Sequence, residues 1–273
     1  MEILRYRAFT TDDERSGNPA GVVLDAEPLD DAGMLAIAAD LGFSETAFLT
    51  SIAPDAARVR YFTPRAEIAF CGHATIASGV ALARLRDLGP VVTLTTNAGP
   101  VPVEVTTEQA TLVAPPTEVE DLGDLLDDVL HVLRLGRGDL DPALPPALVH
   151  GGNLHPLVVV RPGVLERLDH DGDAMLALQD AHGWDGTVPV VERLDAARFA
   201  SRNPFPRGGI REDPATGSAA AGLGAYLRAG GHVEAPTTIT VDQGEETGHP
   251  SRLRVDIPAE GRIRVTGTAA PLA

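Results

Sequence analysis

Two stretches of the chain are apolar on every side. Ile76-Ala77-Ser78-Gly79-Val80-Ala81 and Gly217-Ser218-Ala219-Ala220-Ala221-Gly222-Leu223-Gly224-Ala225 lack the polar stripe of a surface helix. A helix that is apolar all round is a buried one. The patterns around them predict strands. Residues 3–9 and 20–24 read as strands about a turn at Gly17-Asn18-Pro19, and Ala47 to Thr50 and Arg58 to Thr63 as two more. Asp30 is placed to cap a helix over about 31–41. The first apolar helix is entered through Gly72-His73-Ala74-Thr75, runs over Ile76–Leu88 and is stopped by Gly89-Pro90. Strands follow near 91–96 and 101–105, turned by Asn97-Ala98-Gly99-Pro100. Residues 114–147 are rich in Pro, Asp and Leu and hand over to a second series. That series reads strand 157–161, helix 173–182, strand 187–191, helix near 193–198, then the apolar helix Thr216–Arg228, stopped by Gly230-Gly231. Strands at 237–242, 252–257 and 262–266 follow.

The second series repeats the first. Met34-Leu35-Ala36 leads to Gly42-Phe43-Ser44-Glu45-Thr46, and 141 residues on Met175-Leu176-Ala177 leads to Gly183-Trp184-Asp185-Gly186-Thr187. Ala74-Thr75 and Leu82 map at the same offset onto Ala215-Thr216 and Leu223. Gly17-Asn18-Pro19 has a partner in Gly152-Asn153-Leu154 at offset 135, and Tyr61-Phe62-Thr63-Pro64 a weaker one near Arg202-Asn203-Pro204. Such a period is too long for a solenoid and reads as a duplicated half-domain. The copies disagree at Glu45, whose counterpart is Gly186. Two similar halves facing one cleft, with the acid supplied by one side, is the arrangement this predicts. The fold class expected is α+β: two pseudo-symmetric halves, each a curved sheet around a central apolar helix.

Composition narrows the chemistry. At 273 residues with 44% hydrophobic content, each half can bury a core. The opening residues, followed by Asp12, Asp13 and Glu14, do not read as a signal peptide, and apolar runs fall short of the ~18 residues of a membrane span. A cytoplasmic protein is therefore expected, and Cys71, the single cysteine, fits a reducing compartment. A formal net charge of −17 argues against nucleic acid or an anionic membrane as partner. All 22 basic residues are arginine, so no lysine exists for a Schiff base or a phosphate-binding P-loop.

The candidate chemistry sits at the helix starts. Cys71-Gly72-His73-Ala74-Thr75 and Asp213-Pro214-Ala215-Thr216-Gly217-Ser218 each open a buried helix. First-turn N–H groups have no internal partner, and the helix dipole makes that end positive. Two such ends facing one cleft would hold a carboxylate without a basic patch. The plainer alternative is that Thr75, Thr216 and Ser218 only cap helices. Glu45 lies among Phe43, Ala47 and Phe48, so burial should raise its pKa, which suits a general base near neutral pH. The alternative is a surface glutamate at a turn. Cys71 is either a thiolate base at a helix start or a small buried residue. His150 and His155 flank Gly151-Gly152-Asn153-Leu154, but no third ligand at useful spacing completes a metal site, so no metal is expected.

Gly17-Asn18-Pro19-Ala20, Phe43-Ser44-Glu45-Thr46, Phe62-Thr63-Pro64, Cys71-Gly72-His73-Ala74-Thr75 and Glu212-Asp213-Pro214-Ala215-Thr216-Gly217-Ser218-Ala219, in this order and across almost the whole chain, resemble the PhzF-like family of isomerases, whose fold is shared with diaminopimelate epimerase. The resemblance implies two half-barrels with the active site between them. It implies that the C-terminal strand crosses back, giving a first half of residues 1–116 plus 262–273 and a second of 117–261. It implies proton transfer without a cofactor on a small carboxylate-bearing molecule, in a protein that is often a homodimer. Glu45 matches the catalytic acid–base, His73 and Asp213 the supporting catalytic groups. Asn18, Gly72, Thr216, Gly217 and Ser218 match substrate-binding positions. Cys71 matches a cysteine of the epimerase branch, but a second cysteine is missing: Glu212 stands at the 141-residue offset. Two other readings stay open: a one-thiol epimerase or hydroxyproline-type dehydratase using Cys71, and a non-catalytic binding module on the same fold.

Overall fold

The computed structural model describes residues 1–272, and among them sixteen strands and five α-helices. The first series is β1 (Glu2–Ala8), β2 (Asn18–Leu24), α1 (Asp31–Leu41), β3 (Thr46–Thr50), β4 (Ala56–Phe62), β5 (Glu67–Ile68), α2 (Gly72–Leu85), β6 (Val91–Thr96), β7 (Gly99–Val105) and β8 (Gln109–Val113). The second is β9 (Glu118–Asp121), α3 (Leu126–Val132), β10 (Ala147–His150), β11 (Leu154–Val160), α4 (Gly172–His182), β12 (Val190–Arg193), β13 (Arg198–Arg202), α5 (Gly217–Ala229), β14 (Thr237–Gln243), β15 (Ser251–Ile257) and β16 (Arg264–Pro271).

The duplication is visible in the pairing. In the first series β2 and β3 are parallel, β3 and β4 form a hairpin, and β4 and β6 are parallel. In the second, β11 and β12 are parallel, β12 and β13 form a hairpin, and β13 and β14 are parallel. Helices α1 and α4 make the first crossover of each set, α2 and α5 the second. Parallel neighbours require such crossovers, because a tight turn cannot reverse the chain twice. Each second crossover is the apolar helix, and its sheet curls around it: every residue from Gly72 to Leu82 is buried, as is every residue from Gly217 to Leu227. The order β1-β2-β3-β4-β6-β7-β8-β16, with β16 returning to β1, closes an eight-stranded barrel around α2. From β16 the sheet continues through β15, β14, β13, β12, β11 and β10 to β9 and wraps α5. β16 meets β15 through Arg264 to Thr266 and β8 through Arg264 to Thr268, then β1 through Ala269 to Pro271.

The helix expected near 193–198 is not formed. Val190–Arg193 and Arg198–Arg202 are the arms of a hairpin, the copy of β3–β4. Leu194 N–H donates to the Arg198 carbonyl, and Asp195 Oδ1 accepts from Ala197 N–H, an Asx turn. Leu194, Ala196 and Ala197 favour a helix, but four residues that include Asp195 cannot nucleate one against strand pairing on both sides. Helix α2 ends at Leu85 rather than Leu88 because Arg86 is already extended. β12 lies two residues later than expected, and β5, β8, β9, β10, β13 and α3 add elements that the periodicity leaves unread.

Candidate active site

The two buried helices meet start to start. A Cβ on Gly72 would stand 3.1 Å from Gly217 Cα, and one on Gly217 would stand 3.4 Å from Gly72 Cα. A side chain at Gly72 would press on the backbone of Gly217, while one at Gly217 would meet Gly72 in ordinary contact. Neither start is capped by a side chain: Cys71 and Thr216 occupy the N-cap positions without a cap hydrogen bond. The Thr75 hydroxyl donates to the Cys71 carbonyl at 2.6 Å, and the Thr216 hydroxyl donates to Asp213 Oδ2 at 2.6 Å. The capping reading of these threonines therefore gives way, and the first-turn amides are left for another acceptor.

Around this junction lies a cavity of about 570 Å³, lined among others by Glu45, Cys71, His73, His155, Asp213 and Ser218. Glu45 arrives from the first half. Gly42 closes α1 in a left-handed conformation (φ 68°), and the chain reaches β3 through Ser44 and Glu45. The carboxyl is 5% exposed, and its Oε2 has no hydrogen-bond partner. His73 Nε2 faces it at 3.4 Å without the alignment of a hydrogen bond and is also unpartnered. His73 Nδ1 faces Cys71 Sγ at 3.3 Å. Burial, and then the nearby Asp213 charge, raise the Glu45 carboxyl well above the ordinary glutamate range. Burial pushes His73 down to about 4, so its imidazole is neutral, and raises the Cys71 thiol.

Asp213 comes from the second half. Its Oδ1 accepts from Asn18 Nδ2 at 2.7 Å, and its main-chain oxygen accepts from Gln243 Nε2 at 2.7 Å. Burial raises its pKa, while the bonds from Thr216 and Asn18 pull the other way. Asn18, placed at the substrate by the sequence reading, does not line the cavity. Its amide is engaged by Asp213 and the Ala215 carbonyl, tying β2 of one half to the helix start of the other. Beneath Asp213 lies a buried ion pair: Arg202 grips Glu212 through two bonds of 3.0 and 2.5 Å, with His170 Nε2 at 3.4 Å. Burial acts to raise Glu212, but His170 and Arg202 hold its carboxyl at about 2.

The structure thus brings Glu45, Cys71, Gly72, His73, Asp213, Thr216, Gly217 and Ser218 to one cavity. Two residues were missed as site residues. Gln243 accepts Thr216 N–H and donates to Asp213, a contact from a distant strand with no local signal. His155 reaches Ser218 Oγ at 2.9 Å, and its place beside the repeated Gly-Asn motif was the available clue. Glu45, Cys71 and His73 are also the one trio among the described residues whose ligating atoms lie within 4.8 Å of one another. Because the imidazole stands between thiol and carboxyl, one nitrogen toward each, the trio is arranged as a relay. A cation held by all three would need the ring to turn.

Comparisons with known proteins agree with this fold. The family model described as phenazine biosynthesis-like protein, PhzC-PhzF, matches residues 6–273. An uncharacterized isomerase, YddE, of Salmonella typhimurium is 36% identical over 83% of this chain and 78% of its own length. Its Escherichia coli K12 namesake is 31% identical over 99% and 96%. The crystal structure of a Bacillus anthracis phenazine biosynthesis protein of the PhzF family covers 100% of this chain with 98% of its own, at TM-score 0.84 and 28% identity.

Proposed function

The chain belongs to the PhzC-PhzF family of phenazine biosynthesis-like proteins and is an isomerase, and from this we propose that it moves a proton between carbons of a small carboxylate-bearing substrate with Glu45 as the base. The observation that carries the reading is a buried carboxyl with one unpartnered oxygen, lining the same cavity as two uncapped helix starts. The substrate carboxylate accepts from amides at Gly72, His73, Gly217 and Ser218. Glu45 removes a proton from a neighbouring carbon, and the C–H electrons pass into the carboxyl as an enolate. Fixed N–H dipoles stabilise that charge as it develops. Where a carbon–carbon double bond adjoins that carbon, the charge extends over it as a dienolate, and Glu45, now protonated, returns the proton at the far carbon as the double bond shifts by one position, which restores the carboxylate. A raised pKa makes the same carboxyl a stronger base on the way out and a competent acid near neutral pH on the way back. His73, neutral and beside Glu45, orients it. Membership of an isomerase family sets aside the non-catalytic binding module.

Deuterium uptake tests the reading. The protein and Glu45→Gln are incubated in heavy water with dihydro-hydroxyanthranilate and several amino acids. Mass gain at carbon with the native protein alone is the expected result; uptake retained by Glu45→Gln overturns it. The 3.3 Å approach of Cys71 Sγ to His73 keeps the thiol reading as the second choice. The 141-residue offset pairs Cys71 with Glu212, but Thr216 stands at the matching N-cap of α5, its hydroxyl donating to Asp213, so no matching second base faces the thiol. Cys71→Ser should keep exchange within about tenfold of native, and its abolition would favour the thiol.

A further inference from the structure

Ser218 is the second residue of α5, and its hydroxyl lies on the cavity wall 2.9 Å from His155 Nε2. Which of the two donates is decided at the other side of the ring. His155 Nδ1 is 3.1 Å from the Thr187 carbonyl oxygen and 3.1 Å from the Thr187 hydroxyl. The carbonyl oxygen only accepts and the hydroxyl can accept as well as donate, so a hydrogen on Nδ1 suits both oxygens, whereas a lone pair there would face that of the carbonyl. The imidazole is wholly buried, and burial pushes its pKa down to about 4. A neutral ring with its hydrogen on Nδ1 presents a lone pair at Nε2, and the Ser218 hydroxyl must donate to it. Thr187 is itself held: Asn203 Nδ2 donates to Thr187 Oγ1 at 3.1 Å, and the Ser201 hydroxyl donates to Asn203 Oδ1 at 2.5 Å. The space for this chain exists because Gly186 has no side chain. A Cβ there would stand 2.5 Å from His155 Nδ1 and Cε1 and 2.5 Å from the Leu154 carbonyl.

We propose that His155 is a specificity-determining positioning residue: it turns the one hydrogen of Ser218 away from the cavity, so that this wall can only accept hydrogen bonds. The group of the substrate that meets Ser218 must then be a donor, an amine, ammonium or hydroxyl, lying beside the carboxylate held at the helix starts. An ether or carbonyl oxygen there would face lone pairs with no hydrogen between. This substrate class rests on reading the cavity as the isomerase site.

The tautomer is measured without any ligand, by nitrogen NMR of protein labelled in histidine, with His155→Gln assigning the signals. A neutral ring protonated at Nδ1 near neutral pH is expected; a ring protonated at Nε2, or charged, overturns the proposal. Selectivity is measured by calorimetry with anthranilate, which offers a donor beside its carboxylate, and 2-methoxybenzoate, which offers only an acceptor. The native protein should bind anthranilate roughly tenfold or more tightly, the cost of an unmatched buried polar group. His155→Leu frees the hydroxyl to rotate, and Ser218→Ala removes it; in both the preference should collapse toward equality. His155→Gln, whose amide can donate to Thr187 and accept from Ser218, should keep it. Equal binding of the two probes by the native protein, or undiminished preference in both Ser218→Ala and His155→Leu, overturns the proposal. The outcome is separate from that of the deuterium experiment, since binding preference needs no turnover.

Discussion

The two halves reach the cavity by the same path and put opposite things at its end. In each, an aspartate-capped helix stops at a left-handed glycine, Gly42 or Gly183, and the chain passes into a strand beside its parallel partner. On one side that passage delivers Glu45, a buried carboxyl with an oxygen that nothing satisfies. On the other it delivers Gly186, and the room so left is filled by His155, with both ring nitrogens bonded. At the 135-residue offset, His155 corresponds to Ala20. The acid-and-alanine pair of one half is a glycine-and-histidine pair in the other. A second exchange runs the same way: Cys71 at the first helix start corresponds to Thr216 at the other, whose hydroxyl donates to Asp213. At the cavity, one half leaves Glu45 Oε2 and His73 Nε2 without partners, and the other bonds both nitrogens of His155. Unmet hydrogen-bonding capacity is a cost to stability and the resource of a reacting group.

Breaking the reactive side has the largest expected effect. Glu45→Gln should lower the rate of deuterium uptake by about 10²–10⁴-fold while circular dichroism stays native. Breaking the satisfied side should cost stability. Arg202→Met leaves Glu212 buried with its main counter-charge removed, which should cost about 3–5 kcal/mol in urea unfolding. A fall in stability under about 1 kcal/mol would mean that water reaches Glu212. Making the halves more alike is a finer probe. Gly186→Ala drives a methyl into the His155 ring and the Leu154 carbonyl, and should cost about 1–3 kcal/mol. Adding His155→Ala should recover part of that loss, since the ring is one of the two obstacles.

The smallest effect concerns pH. In the unfolded chain Glu45 releases its proton in the ordinary glutamate range, while in the fold its pKa is raised. Between these two values the unfolded state binds fewer protons than the native state, so this group lowers stability as pH rises. Glu45→Gln removes that term. Its unfolding midpoint should gain on that of the native protein from mildly acid to mildly alkaline pH, and a constant difference would place the Glu45 carboxyl in the ordinary range. His155 acts with the opposite sign. Its pKa is depressed to about 4, so its share of stability appears as pH rises toward the ordinary histidine value and is lost on acidification.

Much of this was legible in the linear chain because it depended on periodicity and repetition. The helices lacking a polar face, the 141-residue offset and the unmatched Glu45 are properties of residues close in sequence, or of a pattern recurring intact. What stayed hidden depends on contacts across the halves. Asn18 and Asp213 are 195 positions apart, so an asparagine in a turn could be read as a ligand for substrate when its amide instead holds a carboxylate. Residues near 193–198 read as a helix because alanine and leucine favour one locally, while the pairing of β12 with β13 makes them the turn of a hairpin. The direction of the Ser218 hydrogen bond follows only from a carbonyl oxygen on Thr187, and main-chain acceptors leave no mark in a sequence.

The strand that closes the first barrel is β16, pairing Tyr6 with Pro271 and Ala8 with Ala269. On a ribosome, β1 and β2 therefore emerge with an open seam that only the last strand can fill. The half that carries the base waits for the other to be translated, and ring closure becomes a late, long-range event of the slow kind. A chain lacking β16 would leave β1 with an unpaired edge, a surface that recruits other strands.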